Sequence, residues 1–307
     1  MKWICKVMAF LVLTVFATGC IKNQPEASVT VTIVSTAEIE NLNGRIVEAV
    51  YSDSTKIYFH LLSDTTAEVV NYHYYYDREH ESQGWVYRGE VELPESFVHL
   101  GKCFKLVAIG QHAFGGDRTG PIEEHYPASL LSSIKIPKTV TRIEDYAFYY
   151  CENLTSIKIP GSVNYLGRSA FLHSGLSEVE LPGSISVIMH ACFSECEKLV
   201  SVKLPETTEE ICDWAFSCCA SLKTLELPSS VCYLGEEIFM ECPSLKTLTC
   251  KSVVPPEKSM HSVFYYEGPL RLGAPLETIY VPGDRVDVYK DALFWKDYKD
   301  IIVGLSE

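Results

Sequence analysis

The sequence predicts an α/β repeat solenoid built from coils of about 23 residues. Residues 131–250 hold five similar segments in tandem, and each begins with a short alternating strand that a proline follows. The prolines of this set are 23, 22, 23 and 23 residues apart: Pro137, Pro160, Pro182, Pro205 and Pro228. A unit this short cannot bury its apolar face alone, so neighbouring units must stack on one another.

Each segment has the same internal order of strand, corner and turn. In Thr155–Ile159 the side chains of Ile157 and Ile159 share one face because strand residues alternate, and Pro160 ends the ladder because it has no N–H to donate. Apolar residues follow three and six positions after the proline, except at Thr208, and a turn leads to the next coil. The turn carries Ala-Phe in three segments, whereas Cys192 and Ile238 replace the alanine in the other two. The turn aromatics are expected to stack as a buried spine: Phe148, Phe171, Phe193, Phe216 and Phe239.

Four cysteines share one position, three residues after a turn phenylalanine: Cys151, Cys196, Cys219 and Cys242. This regular spacing indicates small buried side chains at equivalent places in successive coils. Stacked cysteines on adjacent coils could still come within bonding distance, so disulfides among the mature cysteines remain an open alternative. The sequence contains no Cys-x-x-Cys pair, so it gives no support to a tetrahedral zinc site.

The first 19 residues have the features of a cleaved signal peptide. Lys2 and Lys6 precede the apolar run Val7–Ala17, which is far shorter than the roughly 20 residues that a membrane-spanning helix needs. The segment Ala17-Thr18-Gly19-Cys20 resembles a bacterial lipobox, and this resemblance implies cleavage before Cys20 and acylation of that residue. An ordinary secretory signal with an incidental cysteine is the alternative. Residues 20–27 are then a short lipidated tether.

The rest of the chain divides by its pattern. Residues 28–90 have strand composition and are expected to form an N-terminal β cap. Residues 91–282 form the solenoid, with regular coils at 131–250 and a hairpin-like expansion between Pro94 and Phe114. Residues 283–307 form a C-terminal cap in which Arg285–Phe294 is helical, with Val286, Tyr289 and Leu293 on one side.

Composition and motifs exclude several classes of function. The formal charge is −14, and removal of residues 1–19 lowers it to −16 because that segment carries two lysines and no acid. An acidic chain with dispersed basic residues is a poor nucleic-acid binder. Searches for HExxH, GxSxG, GxGxxG, P-loop and EF-hand patterns find none. We therefore expect no catalytic residues, no metal and no cofactor.

The repeat pattern I-x-[IL]-P-x-x-[VI]-x-x-[IL]-x-x-x-A-F-x-x-C-x-x-L resembles the BspA-type leucine-rich repeat of bacterial surface proteins, over roughly 91–282. The resemblance implies a right-handed leucine-rich-repeat solenoid. For some members of the family it also implies binding of host matrix proteins, other bacteria or epithelial surfaces. It offers no catalytic residues to transfer.

Three surfaces are candidates for binding. One is the outward face of the strands, whose central positions are expected to form a ladder of ion pairs: Lys135, Lys158, Glu180, Lys203, Glu226 and Thr249. The alternative is that this face is only a solvated sheet whose charges neutralise one another. An aromatic cluster can anchor a protein or sugar, or pack on the first coil: Tyr72, Tyr74, Tyr75, Tyr76 and Trp85. An insertion at 115–129 carries Arg118, His125 and Tyr126, and long loops on rigid scaffolds often carry function.

The leading hypothesis from the sequence is a non-enzymatic, monomeric, outer-membrane lipoprotein that is exposed on the cell surface. It would present its solenoid to a protein or glycan partner, in adhesion or host interaction. The alternative is a structural or assembly lipoprotein that binds another envelope component in the periplasm. An enzyme is a third hypothesis, for which the sequence offers no motif.

Overall fold

The computed structural model describes residues 33–41, 44–51, 56–71, 87–115, 129–259 and 271–305. The predicted signal peptide at 1–19 and the tether at 20–27 lie outside these ranges. Most regular structure is β-strand, arranged as an antiparallel N-terminal sheet that leads into stacked parallel strands.

The N-terminal sheet is a meander joined to a hairpin. Its strands are β1 (Ile33–Asn41), β2 (Gly44–Tyr51), β3 (Lys56–Leu61), β4 (Thr66–Val70), β6 (Ser96–His99) and β7 (Lys102–Ile109). Strands β1 to β4 pair antiparallel in chain order, and β4 pairs parallel with β7. The β6–β7 pair is antiparallel, which confirms the expected expansion between Pro94 and Phe114.

Two rows of short parallel strands run along the repeats. Row one lies before the prolines: β5 (Arg88–Glu92), β8 (Leu130–Lys135), β11 (Glu178–Glu180), β13 (Ser201–Lys203), β15 (Thr224–Leu227), β17 (Thr247–Cys250), β19 (Thr278–Val281) and β20 (Ile302–Gly304). Row two lies after them: β9 (Arg142–Ile143), β10 (Tyr165–Leu166), β12 (Val187–Ile188), β14 (Glu210–Ile211), β16 (Tyr233–Leu234) and β18 (Glu257–Lys258). Strand β7 of the N-terminal sheet begins row two, whereas row one begins at β5.

The register between coils follows the sequence period. Thr224 pairs with Thr247, and Glu210 pairs with Tyr233, in each case one coil further along the chain. The ladder of row two is interrupted between β10 and β12. Row one is interrupted as well, between β8 and β11 and between β13 and β15.

The helical content corrects the predicted α/β class. The described residues contain one α-helix, α1 (Val286–Asp291), and two short 3-10 turns. The second half of each repeat is a turn, because the residues two before and two after the phenylalanine have positive φ. Around Phe148 these are Tyr146 (φ 59°) and Tyr150 (φ 57°), and the same pair recurs around Phe171, Phe193, Phe216 and Phe239. A left-handed residue on either side of the aromatic prevents a continuous helix.

The predicted phenylalanine spine is confirmed and is longer than expected. Phe114 joins it, and successive ring centroids from Phe114 to Phe239 lie 5.2 to 6.2 Å apart with nearly parallel planes. Every ring of the stack is buried. Backbone hydrogen bonds join the same turns, as where the Phe148 nitrogen donates to the Ala170 oxygen at 2.7 Å. The coils are therefore tied together at the turn as well as at the two strand rows.

The cysteines of the repeat do more than fill space. The thiols of Cys196, Cys219 and Cys242 donate to the carbonyl oxygens of Phe171, Phe193 and Phe216 at 3.1 to 3.2 Å, one coil back. Nine described cysteines, including these three, are free thiols. Cys103 on β7 is disulfide-bonded, and its partner lies outside the described residues.

The C-terminal segment packs on the last coils. The Tyr289 hydroxyl donates to the Ser252 oxygen at 2.8 Å, and the Trp295 indole donates to the Pro256 oxygen at 2.8 Å. The expected helix 285–294 is too long, because the chain becomes extended at Ala292. Leu293 consequently lies outside the helix and is 65% exposed, so its predicted place on one helical side with Val286 and Tyr289 is wrong.

Two glycines are required by contacts between coils. Asp145 accepts the backbone N–H of Arg168 at 2.7 Å, and Asp213 accepts that of Glu236 at 2.7 Å. The residue just before each donor is a glycine, and a Cβ at Gly167 or Gly235 would overlap the backbone nitrogen of the same aspartate. A coil with aspartate at this position therefore requires a glycine in the next coil, directly before the residue whose N–H the aspartate accepts.

We predict that Gly167→Ala and Gly235→Ala each lower the free energy of unfolding by about 2 kcal/mol, because the added methyl meets backbone that cannot move aside. Urea denaturation followed by circular dichroism measures the change. The matched controls are Gly161→Ala and Gly183→Ala, whose Cβ would face open space. These should change stability by less than about 1 kcal/mol. Equal losses at all four positions would contradict the contact argument.

Candidate binding surfaces

The residues selected from the sequence as binding or lipidation sites lie outside the described ranges. They are Tyr72, Tyr74, Tyr75, Tyr76, Trp85, Arg118, His125, Tyr126 and Cys20. Tyr87, at the end of the aromatic cluster, is described and half-buried, and its ring packs 4.8 Å from that of Phe114. Tyr87 therefore extends the stack of phenylalanine rings at its N-terminal end.

The outward face of row one is largely neutralised by its own ion pairs. Four pairs have N–O distances of 2.5 to 3.2 Å: Lys135–Glu92, Lys203–Glu180, Lys251–Glu226 and Lys246–Glu277. The predicted alternating ladder is correct only in part. Glu226 pairs with Lys251 rather than with Lys203. Lys158 lies beside Lys135 through an isolated backbone β-bridge, so two side chains of like charge are neighbours there. Exposed pairs of this kind each contribute ~0–1 kcal/mol.

The outward face of row two has a different character. The first residues of its strands differ in exposure: Arg142, Tyr233 and Glu257 are exposed, Tyr165 and Val187 are half-buried, and Glu210 is buried. At the N-terminal end the Arg142 guanidinium lies 4.1 Å from the centre of the Tyr165 ring, a cation–π contact. The Glu144 carboxylate, 2.6 Å from Arg142 Nε, raises the pKa of Arg142 through its hydrogen bond.

The C-terminal end of row two is acidic and open. Tyr233 is 42% exposed, and the neighbouring Glu209 and Glu257 are exposed as well. Within the part of the chain that the structure describes, neither carboxylate forms an ion pair. The segment 176–259, which holds all three of these residues, contains 13 acidic and 6 basic residues, whereas 131–175 contains 3 acidic and 5 basic residues. The two ends of the repeat region therefore differ in sign of charge.

A line of buried and half-buried rings joins the turns of the first coils. His112 stacks on Tyr146 at 4.8 Å, Tyr149 lies edge-on to Tyr146 at 5.7 Å, and Tyr150 stacks on His173 at 4.2 Å. His173 also lies between the carboxylates of two other coils, with Nε2 3.3 Å from Glu152 and Nδ1 2.9 Å from Glu195. Sequence reasoning missed this line, although its members recur at fixed offsets from the turn phenylalanines.

A buried ion pair stabilises the last regular coil. Glu236 is fully buried, and its carboxylate lies 2.5 Å from the Lys258 ammonium, itself only 10% exposed. Arg271 reaches the second carboxylate oxygen at 3.5 Å and also reaches Glu237 at 3.4 Å. Because Glu236 has lost its water, it depends on these cations.

The ionisable groups of the core have structural surroundings. Burial raises the pKa of Cys151 to about 12 and those of Cys196 and Cys250 to about 11. Among the described residues, no three histidine, cysteine or acidic side chains converge as metal ligands would. Nor do those residues include a helix with the length and apolar character needed to cross a bilayer.

Comparison with known proteins identifies the repeat. Residues 123–254 match the family model described as BspA type leucine rich repeat region, in six copies. The matched interval lies inside the range 91–282 expected from the pattern. A comparison with curated proteins finds no match.

Comparison with solved structures finds several leucine-rich repeat proteins. A leucine rich cell surface protein from Faecalibacterium prausnitzii A2-165 is 21% identical, with 81% of this chain and 70% of that chain covered and a TM-score of 0.48. The pneumococcal vaccine antigen PcpA is 19% identical, with coverages of 80% and 64% and a TM-score of 0.48. A leucine-rich repeat protein from Bacteroides ovatus ATCC 8483 is 22% identical, with coverages of 74% and 70% and a TM-score of 0.40.

We predict that native protein at pH 8 is alkylated at Cys232 far faster than at Cys151 or Cys196. Cys232 is exposed. A thiol whose pKa is raised to about 11 is ionised in only roughly one molecule in a thousand at pH 8, and it is also shielded. Peptide mapping after iodoacetamide treatment measures each site, with urea-unfolded protein as the control in which all three react. Rapid native labelling of Cys151 would contradict the packing.

We predict that Lys258→Met destabilises the fold by about 3–5 kcal/mol, because it leaves the buried Glu236 carboxylate without its nearest cation. Adding Glu236→Gln should restore part of the loss. The matched control is Lys251→Met, which breaks the exposed pair with Glu226 and should cost less than about 1 kcal/mol. Urea unfolding compares the variants, and equal losses for the two lysines would refute the burial argument.

Proposed function

We propose that this chain, whose residues 123–254 are a BspA-type leucine-rich repeat region, is a non-enzymatic binding protein of the bacterial cell envelope. Its partner would be a protein or glycan outside the chain. The observation that carries the proposal is the open face of row two, where Tyr233, Glu209 and Glu257 are exposed and lack intramolecular ion pairs or ring contacts among the described residues.

The repeats suit a display role because they form a stiff scaffold. Three lines of contact join each coil to the next: the strand rows, the stacked phenylalanines and the backbone bonds of the turns. A rigid surface loses little conformational entropy when a partner binds. We take the coils to be right-handed and of about 23 residues, as the family resemblance implies, and the inter-strand register supports that length.

The chemistry of the described residues favours binding over catalysis. The buried thiols have raised pKa values and donate to backbone carbonyls, so they are poor nucleophiles. His173 is occupied by two carboxylates and a tyrosine ring. Because these side chains join neighbouring coils, few described residues remain as candidates for a general acid or base.

The proposed location is the outer surface of the cell, with a lipid anchor at Cys20 and a short tether at 20–27. Lysines at positions 2 and 6, the apolar run and the lipobox-like Ala17-Thr18-Gly19-Cys20 support export and acylation. A lipid on Cys20 occupies its thiol and raises the mass of the mature N-terminal peptide, so that mass tests the anchor. Strands β1 to β4 would then lie nearest the membrane, as the N-terminal cap.

We predict that the chain is acylated at Cys20 and is removed by proteases added to intact cells. Metabolic labelling with an alkyne fatty acid should mark the wild-type protein but not Cys20→Ala. Protease shaving should degrade the labelled protein while a periplasmic marker protein stays intact.

The outcomes separate the two envelope hypotheses. Protection from the protease in intact cells, with digestion only after the outer membrane is opened, would favour the periplasmic assembly role. Failure of labelling would remove the anchor from either hypothesis. Binding to immobilised mucin and to host matrix extract, compared with albumin, then tests the external partner directly.

A further inference from the structure

Tyr233 occupies a row-two position that differs from its equivalent three coils earlier. Tyr165 has Arg142 directly before it in the row, and that guanidinium covers its ring. Tyr233 has Glu210 in the same place, and the Glu210 carboxylate accepts the Ser259 hydroxyl. The half-buried Tyr165 therefore has a cation from the chain over its ring, whereas the exposed Tyr233 has a carboxylate in that place.

The acidic groups around Tyr233 make the missing cation more significant. Glu257 pairs in register with Tyr233 on the next strand, so their side chains stand about 4.7–4.9 Å apart in the row. Glu209 is exposed and comes directly before β14, and its backbone oxygen accepts the N–H of Tyr233 at 3.1 Å. We call the surface formed by Glu209, Tyr233 and Glu257 the acidic row face.

Row one pairs two of its exposed acids with lysines of the chain. Glu180 and Glu226 each have a lysine at 2.5 Å on the same face. On the acidic row face no described cation takes that role, although the lysines and arginines needed occur elsewhere in the chain. An aromatic ring between uncompensated carboxylates is the arrangement that attracts an ammonium or guanidinium group.

We propose that the acidic row face docks an extended protein segment rich in arginine and lysine, with one cationic side chain over the Tyr233 ring and its neighbours on Glu209 and Glu257. Arginine fits better than lysine, because the planar guanidinium stacks on the ring and binds a carboxylate at its edge. Side chains at alternate positions of an extended segment repeat every 6.4–6.8 Å on one face, so an Arg-x-Arg spacing can reach two groups of the row.

The wider charge distribution supports the same partner. The segment 176–259 has 13 acidic residues against 6 basic ones, and its field draws a cationic chain toward this end of the solenoid. The acidic field provides steering, whereas Tyr233 and its two carboxylates provide the local contact. These two contributions can be separated because only the second depends on the acidic row face.

The inference rests on the proposed binding function and specifies the partner of its open face. The test uses the mature full-length chain and fluorescein-labelled octapeptides in which arginine, lysine or glutamate alternates with serine. Fluorescence anisotropy gives the dissociation constants at low and at physiological salt. We expect saturable binding of the arginine peptide, weaker binding of the lysine peptide and none of the glutamate peptide.

Four variants locate the contact. Tyr233→Ala should weaken binding of the arginine peptide about fivefold, whereas Tyr233→Phe keeps the ring and should stay within about twofold. The double variant Glu209→Gln/Glu257→Gln should weaken binding about tenfold. The matched control Glu178→Gln/Glu197→Gln removes the same charge at exposed positions away from the acidic row face and should change binding less than about twofold. Circular dichroism confirms that each variant is folded.

The results have distinct meanings. Equal weakening by both double variants, or no effect of Tyr233→Ala, would overturn the proposal because binding would then reflect only the overall acidity. Absence of saturable arginine-peptide binding would also overturn it. Neither result bears on surface exposure or on binding to mucin and matrix, so a cationic partner can fail while the proposed function stands. Binding of mucin that survives loss of Tyr233 would place that partner elsewhere.

Discussion

The whole fold depends on the in-register contact between one coil and the next. A single coil has no core of its own, because its phenylalanine, its strand residues and its corner residues all face inward and meet equivalents above and below. The rings from Phe114 to Phe239 stack within 5.2 to 6.2 Å, and the backbone bonds at the turns follow the same spacing. Burial of apolar surface and closure of backbone hydrogen bonds are therefore achieved by one geometric condition.

That condition accounts for features that look unusual in isolation. Residues such as Tyr146 and Tyr150 adopt positive φ without being glycine, which costs roughly 1–2 kcal/mol each. The stacked turns on both sides hold them in place. The repeat cysteines fit the same logic, because a small side chain with a weak donor can occupy the core and still bond the phenylalanine carbonyl of the previous coil. The ordered core leaves the outer faces free to vary.

Much of this architecture could be predicted from the sequence, because period, prolines and Ala-Phe turns are local signals. The strand row, the spine and the β6–β7 expansion followed from spacing alone. The helix content was overestimated since no glycine marked the left-handed turn residues. The acidic row face could not be foreseen, because the first residues of the row-two strands share no type, and whether Arg142 covers Tyr165 depends on side-chain geometry across coils. The eight binding residues selected from the sequence lie outside the described ranges and stay predictions.

The Asp–Gly contacts limit how such a protein can change its length. Asp145 is accommodated because Gly167 follows in the next coil, and Asp213 because Gly235 does. Met189 and Cys212 occupy the glycine position in the two other coils, so a coil carrying the aspartate could not precede either of them without a clash. Recombination that duplicates or deletes repeats must therefore keep certain neighbours together. For these coils, the smallest unit that can be exchanged during evolution is a pair.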